Sequence, residues 1–409
     1  MVKKTDASPA PGDYSRVAEF LRGLAGDKLR FIHIAGTNGK GSTAAFLERI
    51  LREAGYKTGL FTSPHIVCYN ERIRINGEEI SHEALNAYRA ELKIAQAQAK
   101  VSLGYFSEAT AIALMHFSKN DCDIVLLECG LGGRLDPTNF IKNPELTLIT
   151  RLGLEHTDKL GNTLEQIAWE KAGVVKPGAD VVCLKQQARA NRIIARVCFV
   201  QEARLHFVER LPVFYEKGWF LRVGEKLQPL GIGGAFQSEN AALALYAAKL
   251  LQNKGWKITD KSVYHGLQKA SWAARFEQIN DDPPIVFDGA HNPQGADAML
   301  KSLRVRWPDG KFIFIMGCME DKDFELSISK IAPHARAMIA VAPIVERALN
   351  AQTLANAMRT YADDVFAADD MKNALQYAKG ALKHSDDCCA ICVFGSLYLA
   401  APLKQALGC

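Results

Sequence analysis

No run of about 18 apolar residues occurs anywhere in this 409-residue chain, so the sequence offers no candidate transmembrane helix. Residues 1–15 are polar and contain proline, without the apolar centre of a signal peptide, and no secretory leader is expected. Charge of one sign is also missing. The 50 basic and 45 acidic side chains nearly cancel, and no Lys/Arg stripe interleaved with aromatics appears, which argues against nucleic acid as a partner. Cysteines number 10, but the single CxxC, Cys389 to Cys392, has no second ligand pair at matching spacing. They are expected to be core thiols of a reducing, cytoplasmic compartment. Internal repeats and low-complexity tracts are absent.

What is present is a globular composition, 48% hydrophobic and 23% charged, on a chain longer than one core usually supports. Two domains are expected. Residues 31–35 form a short apolar run, followed by a glycine-rich turn, a helical pattern over 43–54 closed by Gly55, and a second run at 57–62. That is the strand, loop, helix, strand order of a mononucleotide-binding unit. Apolar runs at 123–128 and 146–150 suit further strands of a parallel sheet covered on both faces. Around Lys217-Gly218 the pattern changes to a hairpin, residues 213–215 and 219–223. The polar, proline-rich stretch Asn280-Asp281-Asp282-Pro283-Pro284 reads as a linker. Beyond it, runs at 285–288, 312–317, 338–341 and 390–394 alternate with helices. The expected fold is therefore α/β: a P-loop mononucleotide-binding parallel-sheet ATPase domain over 1–279, then a smaller Rossmann-like α/β domain over 284–409.

Gly36-Thr37-Asn38-Gly39-Lys40-Gly41-Ser42 sits between strand and helix, where backbone N–H groups and the helix dipole hold phosphate oxygens. Lys40 would reach the terminal phosphates, and Ser42 or Thr43 can offer a hydroxyl to magnesium or phosphate. The spacing departs from the Walker A pattern: Ile34 stands where its first glycine should be, and Gly41 follows the lysine directly. Glu128 ends a buried run and enters a glycine-rich loop, so its carboxylate should emerge at the carboxyl edge of the sheet. There it serves either as a hydrogen-bond acceptor or as a metal ligand. His156 follows the 146–150 run, near Glu128 if those strands are neighbours. By chemistry alone a hydrogen-bonding role suits it better than magnesium. Lys171, near the end of a helical pattern over 163–174, reads alone as a cation favourable to the helix dipole.

The phosphate loop as it stands resembles the Mur ligase superfamily, and its Gly41-Ser42 version resembles folylpolyglutamate synthase and dihydrofolate synthase. The resemblance runs along nearly the whole chain. It includes Phe61-Thr62-Ser63-Pro64-His65, Asn70-Glu71-Arg72-Ile73, Glu128-Cys129-Gly130-Leu131-Gly132-Gly133-Arg134-Leu135-Asp136-Pro137-Thr138-Asn139, Glu155-His156, Glu170-Lys171-Ala172-Gly173, Asp288-Gly289-Ala290-His291-Asn292-Pro293, Asp321-Lys322-Asp323 and Gly395-Ser396-Leu397-Tyr398. Segments 237–240 and 272–277 belong to the same pattern.

The resemblance implies an ATP-dependent ligase that joins L-glutamate to dihydropteroate, to the γ-carboxylate of folates, or to both, through an acyl phosphate. It implies magnesium held by Ser63, Glu128, His156 and a carbamylated Lys171, and ATP contacts from Thr37, Asn38, Gly39, Lys40, Gly41, Ser42, Asn240, Arg275 and Asp288. Lys40, His156, Lys171 and His291 would be catalytic. Gly104, Tyr105, Phe106, Ser107, Leu135, Asp136 and Pro137 would hold the pteridine, with Arg72, His291 and Ser396 on glutamate or the substrate carboxylate. Three positions depart from the common pattern: Glu155 replaces aspartate, Phe236 replaces histidine, and Pro137 replaces alanine. A monomeric cytoplasmic enzyme is expected. Two rivals make distinct expectations. A cell-wall Mur ligase would need a nucleotide-sugar domain, for which the 35 residues before Gly36 are too few. A nucleotide-binding switch would not need Glu128, His156 and Lys171 together.

Overall fold

A computed structural model describes residues 11–383 and 388–408. Residues 1–10, most of the segment expected to carry no secretory leader, lie outside that range. The chain divides into two compact units, one comprising Met1–Leu211 with Glu239–Ala270 and the other Pro212–Ser238 with Ser271–Cys409.

The first unit is built on β1 (Phe31–Ala35), β2 (Thr58–Phe61), β3 (Ile73–Ile75), β4 (Glu78–Glu79), β5 (Ile124–Glu128), β6 (Leu146–Ile149), β7 (Asp180–Leu184) and β8 (Arg204–Val208). Their order in the sheet is β4-β3-β2-β5-β1-β6-β7-β8. Strands from β2 to β8 run parallel, while β3 and β4 add an antiparallel ribbon at one edge. The central strands are buried throughout, which explains their continuous apolar runs. Helix Lys40–Glu53 buries Ala44, Ala45, Phe46, Leu47, Ile50 and Leu51, and each large side chain so placed contributes about 1.5–3 kcal/mol. Helix Asp260–Lys269 lies against it with Gly266 at the closest point. A Cβ there would sit 2.6 Å from the Ile50 Cα.

The second unit holds two sheets. β9 (Val213–Tyr215), β10 (Trp219–Val223) and β11 (Lys226–Leu230) form an antiparallel ribbon; the first two are the expected hairpin, and the third went unseen. The other sheet contains β12 (Glu277–Asp281), β13 (Pro284–Asp288), β14 (Lys311–Met316), β15 (Ala335–Ala340), β16 (Val365–Ala367) and β17 (Cys388–Phe394), ordered β12-β13-β17-β14-β15-β16. All pairs are parallel except β12 with β13. Residues 280–284 are thus a hairpin turn, not a linker: their prolines and aspartates are equally at home in either, and the β12 partner strand is too polar to announce itself. The chain passes between the units instead at Leu211/Pro212, Ser238/Glu239 and Ala270/Ser271.

Candidate functional site

The loop after β1 is shaped by its neighbours. Backbone N–H groups of Thr37 and Asn38 both donate to the Arg151 carbonyl, at 2.9 and 3.1 Å, and the Thr37 hydroxyl meets the backbone of Gly153. Thr37 and Asn38 therefore tie this loop to the one following β6, and their N–H groups are committed there. The helix begins at Lys40 with Gly39 as its cap, in a left-handed conformation (φ 90°) and without a side-chain cap. Its first-turn N–H groups have no intrahelical acceptor, the arrangement that receives an anion. Only glycine fits at 39. A Cβ there would lie 2.1 Å from Oδ1 of Asn240, which is buried and accepts from the Thr43 hydroxyl at 3.4 Å.

Lys40 extends over the loop, donating to the Thr37 carbonyl at 3.2 Å, and its Nζ stands 3.7 Å from Oε1 of Glu128. Glu128 is buried, and its other oxygen accepts from the Ser63 N–H at 3.3 Å. Beneath the same loop, Lys171 Nζ donates to the Gly36 carbonyl at 2.7 Å. Burial, then the neighbouring charge of Lys40, pushes the Lys171 ammonium down to about 7. The side chain is thus poised between ammonium and free amine at neutral pH. His156 caps the short helix Thr157–Leu160 in a left-handed conformation (φ 52°). β5 and β6 are not neighbours, because β1 lies between them in the sheet. Among the described residues no three His, Cys, Asp or Glu side chains gather as a metal cluster. The hard oxygen of Glu128, the imidazole of His156 and the uncapped helix start nevertheless fit a cation bound jointly with phosphate oxygens.

The expected pteridine residues fall at the start of one helix and on the glycine-rich loop beside it. Gly104 caps helix Tyr105–Lys119, and the Phe106 ring occupies the space a Cβ on Gly130 would need, 2.5 Å away. Ser107 is buried, whereas Leu135 is 41% exposed. Asp136 does not present its carboxylate outward. It is buried and accepts from the N–H groups of Leu131 and Thr138 and from the Thr138 hydroxyl, so it braces the loop from inside. Pro137 is the first residue of the 3-10 helix Pro137–Phe140, where a fixed φ suits the backbone. Arg72 is buried, donates from Nε to His65 Nδ1 at 2.8 Å, and stacks over the rings of Tyr69 and Tyr105.

In the second unit, Asp288 ends β13 and accepts from the N–H groups of Phe276 and Ala290, both at 2.8 Å. Burial raises its carboxyl pKa despite the opposing charge of Arg275. Arg275, expected at the close of the first domain, belongs to this unit with Asp288 and His291. The His291 Nδ1 lies 2.9 Å from the Gly289 carbonyl, so Nδ1 carries a proton and donates there. Ser396 follows the end of the adjacent β17 and caps the turn at Tyr398.

Some participants escaped the sequence reading. His33 is fully buried in β1, with Nε2 2.8 Å from the Thr138 hydroxyl and 3.1 Å from Cys129 Sγ. Its one signal was a histidine inside an apolar run. Thr150 fills the space beside Gly36, where a Cβ would fall 1.8 Å from its hydroxyl, and no local pattern announces that contact. Arg134 and Glu170 form a fork joining the glycine-rich loop to helix Leu164–Ala172.

A parallel-sheet unit with this phosphate loop, and a second α/β unit whose residues 274–397 match the family model described as "Mur ligase, glutamate ligase domain", define a ligase of the Mur type. The chain is 33% identical to the dihydrofolate synthase/folylpolyglutamate synthase of Bacillus subtilis over 93% of its own length and 91% of that protein. It belongs to the dihydrofolate synthase/folylpolyglutamate synthase family. Solved structures agree. Escherichia coli FolC in complex with DHPP and ADP superposes with a TM-score of 0.85 at 28% identity, covering 99% of this chain and 95% of that one. The Yersinia pestis bifunctional enzyme with AMPPNP and a manganese ion does so with 0.83 at 29%, covering 100% and 96%.

Proposed function

We propose that this chain is an ATP- and magnesium-dependent ligase that adds L-glutamate to dihydropteroate, to the γ-carboxylate of folates, or to both. The observation that carries this reading is the meeting of Lys40, Glu128 and Lys171 around one glycine-lined loop at the carboxyl edge of the sheet. The family relationship supports the substrates. Lys40 and the N–H groups of the first helical turn bind and neutralise the terminal phosphates of ATP, so that the substrate carboxylate can attack the terminal phosphorus. An acyl phosphate and ADP result. The amine of glutamate attacks the acyl carbon, His291 Nε2 takes up its proton, and inorganic phosphate leaves as the amide forms.

When bound, magnesium supplies charge neutralisation at the phosphate oxygens. Ser63, Glu128, His156 and Lys171 are the residues that would hold it. Lys171 serves this role as a carbamate: an amine with a pKa near 7 is substantially unprotonated at neutral pH and reacts with carbon dioxide. Asn240 adds a nucleotide contact from the first unit, and the 104–107 and 135–137 segments receive the pteridine. The enzyme acts as a cytoplasmic monomer in this reading. Buried thiols such as Cys129, Cys183 and Cys198 fit a reducing compartment, and no described helix is long and apolar enough to cross a membrane.

The acyl phosphate is tested with substrate whose carboxylate carries oxygen-18. One labelled oxygen per turnover must appear in the inorganic phosphate; unlabelled phosphate would refute the pathway.

A further inference from the structure

Two arginines crowd one tyrosine beside the pteridine loops. Arg72 lies over Tyr69 at 5.7 Å and over Tyr105 at 5.6 Å, and Arg89, from helix His82–Ala99, lies over the same Tyr69 ring at 5.0 Å. The Tyr69 and Tyr105 rings are themselves 6.0 Å apart. Neither guanidinium forms an ion pair among the described residues, and Arg89 makes no hydrogen bond there. Glu108 is the carboxylate whose charge reaches Tyr69, yet it bridges to neither arginine. Arg72 spends Nε on His65, but the cation–π contacts orient both groups while leaving the Arg89 donors unanswered and the two like charges opposed. A carboxylate resolves both. Tyr105 opens helix Tyr105–Lys119, whose start has no side-chain cap, so the dipole favours an anion at the same place.

Building on the folate-ligase reading, we propose that Arg89, with Arg72 and the Tyr69–Tyr105 pair, forms a subsite for the α-carboxylate of a glutamyl residue already attached to the folate. Dihydropteroate has only its reacting carboxylate and leaves this subsite empty. A folate monoglutamate or diglutamate fills it while its terminal γ-carboxylate reacts. Arg89 therefore selects substrates by tail, as a specificity residue that touches no reacting atom.

The test compares the full chain with Arg89→Gln and Arg89→Lys, measuring kcat and KM for dihydropteroate, tetrahydrofolate, tetrahydrofolate diglutamate, L-glutamate and ATP. Binding of p-aminobenzoyl-di-γ-glutamate is followed in parallel by calorimetry. Arg89→Gln should raise KM for the glutamylated folates about tenfold or more. The other KM values and every kcat should stay within about twofold. Arg89→Lys should recover part of the loss. An equal rise for dihydropteroate, a rise confined to L-glutamate, or no change would overturn the subsite. If the unaltered chain ligates no folate yet binds the diglutamate probe in an Arg89-dependent way, the subsite stands and the ligase reading falls. Binding independent of Arg89 removes the subsite whatever the activity.

Discussion

Lys171 Nζ and the carbonyl oxygen of Gly36 are joined by a 2.7 Å hydrogen bond, which pins the end of helix Leu164–Ala172 under the first residue of the phosphate loop. The contact puts a buried amine where a positive charge is poorly tolerated, and several consequences can be measured.

Lys171 has a folded pKa near 7, below its ordinary 10.5, so between those values the unfolded chain binds more protons than the folded one. Stability from this group accordingly rises with pH from about 7 to 10.5, and its burial is most costly below that window. Lys171→Met should flatten the rise by on the order of 1 kcal/mol per pH unit, as read from urea melts without bicarbonate. The same substitution should abolish ligation, and carbon-13 bicarbonate should give a carbamate resonance only in the unaltered protein.

His33 works with the same sign at lower pH. Burial holds its pKa at about 3 against an ordinary 6.5, and its Nδ1 has no partner. The folded chain stays neutral here while the unfolded chain protonates, so stability should fall as pH drops from about 6.5 toward 3, by roughly 1 kcal/mol per unit. His33→Gln should lose that component of the acid limb in denaturant titrations.

Gly39→Ala places a Cβ against the Asn240 carboxamide and leaves alanine at φ 90°. A cost of about 1–3 kcal/mol and a marked rise in KM for ATP are expected. Asn240→Ala in the same chain should relieve the clash but not the backbone strain, so thermal stability should recover only in part.

Lys40→Met keeps the length of the side chain and removes the charge that faces Glu128. Turnover should fall on the order of 10²-fold or more while the melting temperature without nucleotide changes little. Calorimetric ATP titration separates lost binding from lost chemistry.

β1, β2, β5, β6, β13, β14, β15 and β17 were legible because each coincides with a continuous apolar run bounded by turn residues, whereas β7, β8 and β16 were not read; the phosphate loop was legible because its glycines follow such a run. Contacts across the chain were not. Thr37 and Asn38 look like phosphate ligands in the sequence, yet their N–H groups belong to Arg151, 114 and 113 residues away. Asp136 looks like a substrate contact and is an internal brace. The linker expected at 280–284 overlaps the end of β12, whose residues are polar and only partly buried, and a strand at a sheet edge has no need of the apolar run that marks a central one. Arg89 lies on an ordinary amphipathic helix, and only the tertiary fold brings it over Tyr69.

Glutamate ligation can be measured directly. Purified protein is incubated with ATP, magnesium, bicarbonate and labelled L-glutamate, with dihydropteroate in one reaction and tetrahydrofolate in another, and the products are identified by mass. A glutamyl amide is expected in at least one reaction, formed with one ADP and one phosphate per bond. ATP binding with no glutamyl product in either reaction would contradict it.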